Sequence, residues 1–457
     1  MTSFPTLSDG SIKIDSFLKN LLELTYAWPD THLMLTLSTW NSLSDAILRF
    51  IFYYPLFMAY VWMIGAIVYF LRWERKSSGL PMTDLAQYPS VSILIPCHNE
   101  ADNIRETIDY CLKQNYPSYD IIAINDGSRD ETLEILLDLE KRHSQLRVIN
   151  LASNQGKAIG LRTAALLSEN EFLICIDGDA LLSSDATLWM VRHFMEDVNV
   201  AAVTGNPRIR NRSTLLGRIQ VGEFSAIVGL IKRAQRVYGQ VFTISGVIGA
   251  FRKSALHQVG YWSPDMVTED IDISWKLQLA GWSIRFEPNA LCWVLMPETL
   301  VGLWKQRSRW AQGGVEVLLR YFRDMWHWRS INMWPLYLES VVSLIWSFLV
   351  LFTFFLLPFD FFLETQRERL EDLSPSWTSM LLSVTCLIQF GISLWIDSRY
   401  EKKSGALARH YYWMIWYPIV YWLINVGTSA NGFFKAVLKK RGQRAVWVTV
   451  DRGLRRR

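Results

Sequence analysis

Four stretches of this chain contain no Asp, Glu, Lys or Arg: 50–71, 340–359, 378–396 and 411–434. Each approaches the ~20 residues a helix needs to cross ~30 Å of hydrocarbon. One such run would fit a buried core helix, but four in a chain of 457 residues predict an integral membrane protein. The runs sit at the two ends and leave a polar-rich block long enough for one sizeable globular domain. The layout expected is a segment outside the membrane at 1–47, a transmembrane helix at 48–71, and a soluble domain at 72–298. Interfacial amphipathic helices at 299–337, a transmembrane region at 338–434 and a basic tail at 435–457 follow.

Charge gives the orientation. Arg72, Arg75 and Lys76 follow the first run at once, which places the central domain in the cytoplasm by the positive-inside rule. The loop at 360–377 is acidic and suits the outer side, whereas Arg399, Lys402, Lys403 and Arg409 suit the inner side. A full crossing by 411–434 would then put the basic tail outside, against the rule. That run either turns back or one span is miscounted. A net charge of +4 is too weak for a nucleic-acid binder. Five scattered cysteines without a C-x-x-C pair predict neither a disulfide framework nor a structural zinc site.

Within the central block, short apolar runs at 91–96, 119–125, 146–151 and 171–176 alternate with helical patterns at 101–114, 131–142 and 156–168. Such alternation predicts an α/β fold with an open parallel sheet, whose ligands bind beyond the carboxyl ends of the strands. Asn99, Glu100, Asp126 and the pair Asp177-Gly178-Asp179 lie at those ends. Two aspartates at a strand tip can hold a hard divalent ion that shares its shell with a diphosphate, and the small Gly178 lets the diphosphate approach. The same residues also fit an ordinary Asp-Gly turn. Lys157, in Asn154-Gln155-Gly156-Lys157, is placed either at a plain helix start or against a nucleotide phosphate. Thr268-Glu269-Asp270 opens a helical stretch, where a carboxylate serves as a cap or as a general base. Gln306, Arg309 and Trp310 fall in a Leu-, Trp- and Arg-rich stretch that reads as an amphipathic surface helix, expected to break or bend at Gly313-Gly314.

Together, Asp126, Asp177-Gly178-Asp179, Thr268-Glu269-Asp270 and Gln306-x-x-Arg309-Trp310, flanked by spans, resemble the processive inverting glycosyltransferases of family 2, which include cellulose, chitin and hyaluronan synthases. The wording at 93–100, 154–159, 176–182, 202–210, 266–279, 296–314 and 447–453 resembles the branch that polymerises N-acetylglucosamine from UDP-N-acetylglucosamine through β-1,6 links for biofilm matrix. The resemblance implies a nucleotide-diphospho-sugar transferase (GT-A, Rossmann-like) domain in the inner membrane. It assigns Asn99, Glu100, Asp126 and Lys157 to the UDP-sugar, and Asp177 and Asp179 to the diphosphate through Mg²⁺ or Mn²⁺. Asp270 becomes the base. Ser245, Gly246, Glu269, Gln306, Arg309 and Trp310 are left for the acceptor and diphosphate. The growing polysaccharide, the lipid bilayer and a small membrane helper subunit are the implied partners. Trp334, Trp346, Trp413, Trp416 and Trp422 would either line a passage for the product or anchor at the membrane surface.

Overall fold

The structure is a computed structural model that describes residues 30–75, 85–362, 377–401, 407–414, 417–440 and 442–445. Trp416, most of the acidic loop, Lys402, Lys403 and the motif at 447–453 lie outside the described residues. The chain divides after Pro55 into a short first unit and a second unit carrying everything from Leu56 onward. Helix α1 (Asp30–Tyr69) is followed by a π-turn over Phe70–Glu74. Next come β1 (Val91–Cys97), α2 (Ile104–Cys111), β2 (Tyr119–Asp126), α3 (Thr132–Arg142) and β3 (Leu146–Leu151). Then follow α4 (Lys157–Leu167), β4 (Phe172–Ile176), β5 (Leu181–Leu182), α5 (Ala186–Glu196), β6 (Val200–Ile209) and α6 (Leu215–Phe224). After a second π-turn at Ser225–Leu230 come α7 (Ile231–Tyr238), β7 (Ile248–Arg252), α8 (Lys253–Gln258), α9 (Glu269–Leu279) and β8 (Ser283–Val294). The chain ends in α10 (Leu300–Tyr321), α11 (Trp334–Phe362), α12 (Trp377–Asp397), α13 (Ala408–Tyr411) and α14 (Tyr417–Leu438).

All four expected strands form, and they lie parallel in the order β3-β2-β1-β4. Strand β1 is buried along its whole length, which is why it reads as a continuous apolar run rather than an alternating one. The sheet does not stay parallel, however. It continues β7-β6-β8-β5, with β7 antiparallel to both β4 and β6 and β5 antiparallel to β8. The antiparallel pairing has a positional consequence. Ile248 at the start of β7 lies opposite Ile176 at the end of β4, so the turn before β7 arrives beside Asp177.

Three helices among the described residues are long and apolar enough to cross a membrane: Leu43–Glu74, Trp328–Phe355 and Met380–Asp397. The fourth run is the helix α14, and both of its flanks meet the soluble block. Before it, Met414 packs on α6, where a side chain at Gly222 would come within 2.7 Å of the Met414 sulfur. After it, Lys439 Nζ donates to Glu316 of α10 at 3.0 Å, and Ala445 N–H donates to the Pro264 carbonyl at 2.9 Å. Between those ends α14 runs alongside α10 in the same direction. Gly427 sits under Trp304, Asn431 donates to Ser308 at 2.9 Å, and Gly432 abuts Ala311.

Gly313-Gly314 does not break the helix, since α10 continues from Leu300 to Tyr321. The residue is small for contact: a Cβ on Gly313 would overlap Thr268 Oγ1 at 1.7 Å, so α10 lies directly against the segment that leads into α9. Among the tryptophans, Trp346 and Trp422 pack edge-on with ring centres 6.5 Å apart, and Trp334 donates to the Met325 carbonyl. All five cysteines are free and buried.

A buried ion network joins the membrane helices to the sheet. Arg233 of α7 makes a two-pronged bond to Glu74, at 2.7 and 2.8 Å, and reaches Asp397 at the end of α12 at 3.0 Å. Arg208 of β6 bonds Asp397 and Glu401, and Arg212 also reaches Glu401 at 2.6 Å. Three arginines face three carboxylates, so the group is neutral as a whole, and removing one member leaves charge stranded away from water. Arg233→Met is expected to destabilise the protein by ~3–5 kcal/mol, seen as a lower apparent Tm in detergent. Glu74→Gln added to Arg233→Met should recover part of that loss.

Candidate active site

Every strand-end residue singled out above lies along one edge of the sheet, at the carboxyl ends of β1, β2 and β4. Asn99 turns the chain out of β1 with a left-handed φ of 57°, a conformation that asparagine tolerates better than most residues. Its backbone N–H donates to Ser128 Oγ, and its side-chain oxygen accepts from the Arg129 N–H. Glu100 is buried, and its N–H donates to Thr132. Asp126, fully buried, accepts from the N–H groups of Gln155 and Gly156 at 2.7 and 2.8 Å, so its carboxylate shapes the turn that delivers Lys157.

One residue the sequence reading passed over belongs to this corner. His98 Nδ1 lies 2.7 Å from the Asp126 carbonyl, which only accepts, so that nitrogen carries the proton. Nε2 then accepts from the amides of Asn99 and Asn154. A neutral histidine thus ties together the ends of β1 and β2 and the turn before α4. Its only sequence signal was its place directly before Asn99-Glu100.

Lys157, the first residue of α4, stands at the centre of the site. Its ammonium lies 2.6 Å from Asp177 Oδ1 and 3.1 Å from Glu269 Oε1, and donates to the Gly246 carbonyl at 3.0 Å. Burial opposes the charge, but Asp177 and Glu269 raise the ammonium's pKa above the ordinary lysine value. Gly178 is small for a local reason: a Cβ there would press on Glu100 at 3.0 Å and on the Pro96 carbonyl at 3.4 Å. Among the described residues no three His, Cys, Asp or Glu side chains gather as a ready-made metal cage. The two aspartates with a diphosphate and water would suffice for a divalent ion of the Mg²⁺ type, which commonly takes only one or two protein carboxylates.

Glu269 and Asp270 open α9 after Thr268. Asp270 Oδ2 accepts from the Gly246 N–H at 3.1 Å, and Oδ1 from the Ile271 N–H at 3.0 Å. Gly246 has to be glycine, because a Cβ would sit 2.8 Å from Asp270 Oδ2. Burial, then the adjacent Glu269 carboxylate, pushes Asp270 up to about 6, against the pull of Lys157, Arg309 and the Ile271 N–H. Burial works against the Glu269 charge too, but Lys157 outweighs it and holds that carboxyl below its usual value. Two neighbouring acids are thereby split into a permanent anion and a group that takes a proton near neutral pH, the pattern that separates acid–base roles.

From α10, Arg309 is exposed and its charge is felt at both Glu269 and Asp270. Trp310 is half-buried beside Phe224, with the Arg307 guanidinium 4.2 Å from its ring centre. Arg307 is itself held by the buried Glu223 at 2.8 Å. This clamp was not singled out in the sequence, where Arg307 read as one more basic residue of a surface helix. Gln306 Oε1 is buried and has no hydrogen-bond partner among the described residues. Asp177, Lys157, Ser245-Gly246 and Glu269-Asp270 therefore share one pocket, with Arg309 acting on it by charge. Asn99, Glu100 and Asp126 form the adjoining wall.

The family match and the relatives identify the protein that carries this sheet and acidic edge as a glycosyltransferase. Residues 89–313 match the family described as Glycosyltransferase like family 2. The poly-beta-1,6-N-acetyl-D-glucosamine synthase of Staphylococcus epidermidis is 41% identical over 412 residues, covering 89% of this chain and 98% of that protein. The synthase of the same name from Staphylococcus aureus is 40% identical over 408 residues, with the same coverage. The chain belongs to this synthase family. Among solved structures, a mannosyltransferase from Pyrobaculum calidifontis in complex with GDP-Man and Mn²⁺ superposes with a TM-score of 0.55 at 18% identity, covering 86% of this chain and 100% of that one, which establishes the GT-A fold. If Asp270 has to be ionised to work, kcat/KM for transfer should fall on acidification with an apparent pKa of about 6. A pH–rate profile checks this, and a limb near pH 4 would exclude Asp270 as the titrating group.

Proposed function

We propose that this enzyme polymerises N-acetylglucosamine from UDP-N-acetylglucosamine into a β-1,6-linked chain, in single-step inverting transfers on the cytoplasmic face of the cell membrane. The observation that carries the reading is the placement of Asp270 on the Gly246 N–H, beside the Lys157–Asp177–Glu269 group that shares the same turn. In each step the acceptor's primary hydroxyl oxygen attacks C1 of the donor sugar, its proton passes to Asp270, and the bond from C1 to the diphosphate oxygen breaks to release UDP. General-base help of this kind is worth ~10²–10⁴-fold.

The remaining residues divide the work. Asn99, Glu100 and Asp126 form the uridine wall. Asp177 and Asp179 would hold a divalent cation, Mg²⁺ or Mn²⁺, which when bound would offset the charge of the diphosphate. Arg309 faces the departing diphosphate as a cation that needs no metal. Trp310, held flat by Arg307, offers a ring face to the acceptor sugar, and Gln306 one turn before it completes the acceptor side. Ser245 and Gly246 close the acceptor side. The cytoplasmic placement rests on Arg72 and Arg75 at the end of the first span. The return of Arg444 to Gln155 at 3.0 Å puts the start of the basic tail on the same side. The product leaves between the spans for the biofilm matrix, and a small membrane partner completes the active unit.

Membranes containing the protein, supplied with labelled UDP-sugars, should yield a polymer from UDP-N-acetylglucosamine that a β-1,6-specific hydrolase degrades. A product cleaved only by a β-1,4-specific enzyme would point to a chitin-like polymer instead. Asp270→Asn should bind UDP normally and make no polymer, and normal yield would remove Asp270 from the mechanism. Asp179→Ala should lose the part of UDP affinity that depends on Mg²⁺, measured by calorimetry with and without the ion.

A further inference from the structure

Lys232 is a buried cation that the reaction scheme leaves unused. It lies on α7 next to Arg233, and the two neighbours are treated very differently. Arg233 has two carboxylate partners, and the ion network fixes the helix that carries both residues. Lys232 is only 5% exposed, yet among the described residues no carboxylate lies within ion-pair distance of it. Its one hydrogen bond is to the hydroxyl of Thr204, at 2.9 Å. A buried lysine serving packing alone would be expected to have an anion beside it, because an unpaired charge in the interior costs stability.

Thr204, on β6, is itself fully buried, and its hydroxyl also accepts the Ser245 N–H at 2.9 Å. The next residue, Gly246, donates its N–H to Asp270 and accepts Lys157 with its carbonyl. A continuous path thus runs from the Lys232 ammonium through Thr204 to the turn that holds the base. Ser274 closes the path from the other side. It accepts the Ile244 N–H at 2.8 Å and donates to the Asp270 carbonyl at 2.5 Å. Burial pushes the Lys232 pKa down to about 7, and the charge that opposes this fall is Asp270.

We propose that Lys232 is a positioning residue for the transfer step, fixing the Ser245-Gly246 turn through Thr204 and placing a buried cation behind the base. The proposal rests on Asp270 being the base. The charges that act most on Asp270 are Glu269 on its own helix, Lys157 from α4 and Arg309 from α10, and Lys232 from α7 adds a smaller one. Lys232 is tied to the base through Thr204 and the Ser245-Gly246 turn, whereas Lys157 is shared with Asp177 and Glu269. Below pH 7 it carries its proton and favours the ionised base, which keeps the acid limb of activity lower than burial alone would put it.

The test is the pH dependence of kcat/KM for labelled polymer synthesis in Lys232→Met, Lys232→Gln, Lys232→Arg and Thr204→Val, with UDP binding measured in parallel. Removing the cation raises the base's pKa, so Lys232→Met and Lys232→Gln should move the acid limb upward by about 0.5–1 pH unit at unchanged UDP affinity. Lys232→Arg should keep the limb where it is. Thr204→Val, which keeps the charge but cuts the path to the turn, should lower kcat several-fold without moving the limb. If Lys232→Met does not accumulate as folded protein, Lys232→Gln carries the test, since its amide can still meet Thr204. An unmoved limb in the charge-removing variants, or activity that falls only in step with UDP affinity and Tm, overturns the proposal. Failure of the base assignment is separately visible as an active Asp270→Asn.

Discussion

The site is organised around one ammonium group. Lys157 reaches the acid after β4, the acid that opens α9 and the carbonyl before β7, three segments distant in the chain. Without a cation at that point, Asp177 and Glu269 would face each other's charge across a poorly hydrated space, where repulsion is far stronger than in water. With it, Glu269 stays ionised, and burial first, then that ionised Glu269, makes the neighbouring Asp270 reluctant to lose its proton. A poised base thus depends on a lysine it does not touch. Lys157 is delivered by a turn whose N–H groups are held by Asp126, so an acid on β2 also contributes to the base's chemistry at second hand.

Convergence of the parts follows from sheet topology and from a few small residues. The antiparallel strand β7 begins where β4 ends, which brings Gly246 to the acidic edge without a long loop. Gly246 and Gly313 then permit contacts that any side chain would block, the first against Asp270 and the second against Thr268. Around these contacts α9 and α10 are cross-linked. Tyr321 donates to Asp272 at 2.8 Å, and Glu316 accepts from the Val267 N–H while also binding Lys439 beyond α14. The helix carrying Arg309 and Trp310 is therefore fixed to the helix carrying the base. A shift of the membrane-side helices would be transmitted to the reacting end, where small displacements have large effects on rate.

Much of this was legible in the residues. Strands β1, β2 and β4 announced themselves as apolar runs ending at Pro, Asn or Asp, because a strand buried on both faces has no polar alternation to confuse the pattern, and the edge strand β3 was recognised by its alternation with the helices. Their carboxyl ends predicted the acidic edge. The second half of the sheet was not visible in the same way. Strand β6 is buried throughout although it contains Thr204, Asn206 and Arg208, whose polar groups find partners only once the chain is folded. Glycines misled in one place: Gly313-Gly314 suggested a break by local propensity, whereas helix packing overrides it. Arg307 and His98 were missed because each acts by holding a neighbour rather than by belonging to a recognisable motif. The apolar run at 411–434 has the composition of a span, and only its flanking contacts, Met414 with α6 and Lys439 with Glu316, tie both ends to the soluble block.

Two kinds of buried charge separate the protein's structural tasks from its chemical ones. Where α1 and α12 meet the sheet, charges are matched one for one, and the junction holds the catalytic block against those helices. Near the base the matching is deliberately incomplete. Glu269 has Lys157, but Asp270 has only backbone donors and more distant cations. An acid completed by a close ion pair would have a low pKa and little appetite for a proton, since tight pairing favours the charged form. A base that is to accept a proton from a hydroxyl near neutral pH has to be left partly unsatisfied, whereas the junction, which has no proton to move, matches each arginine with a carboxylate.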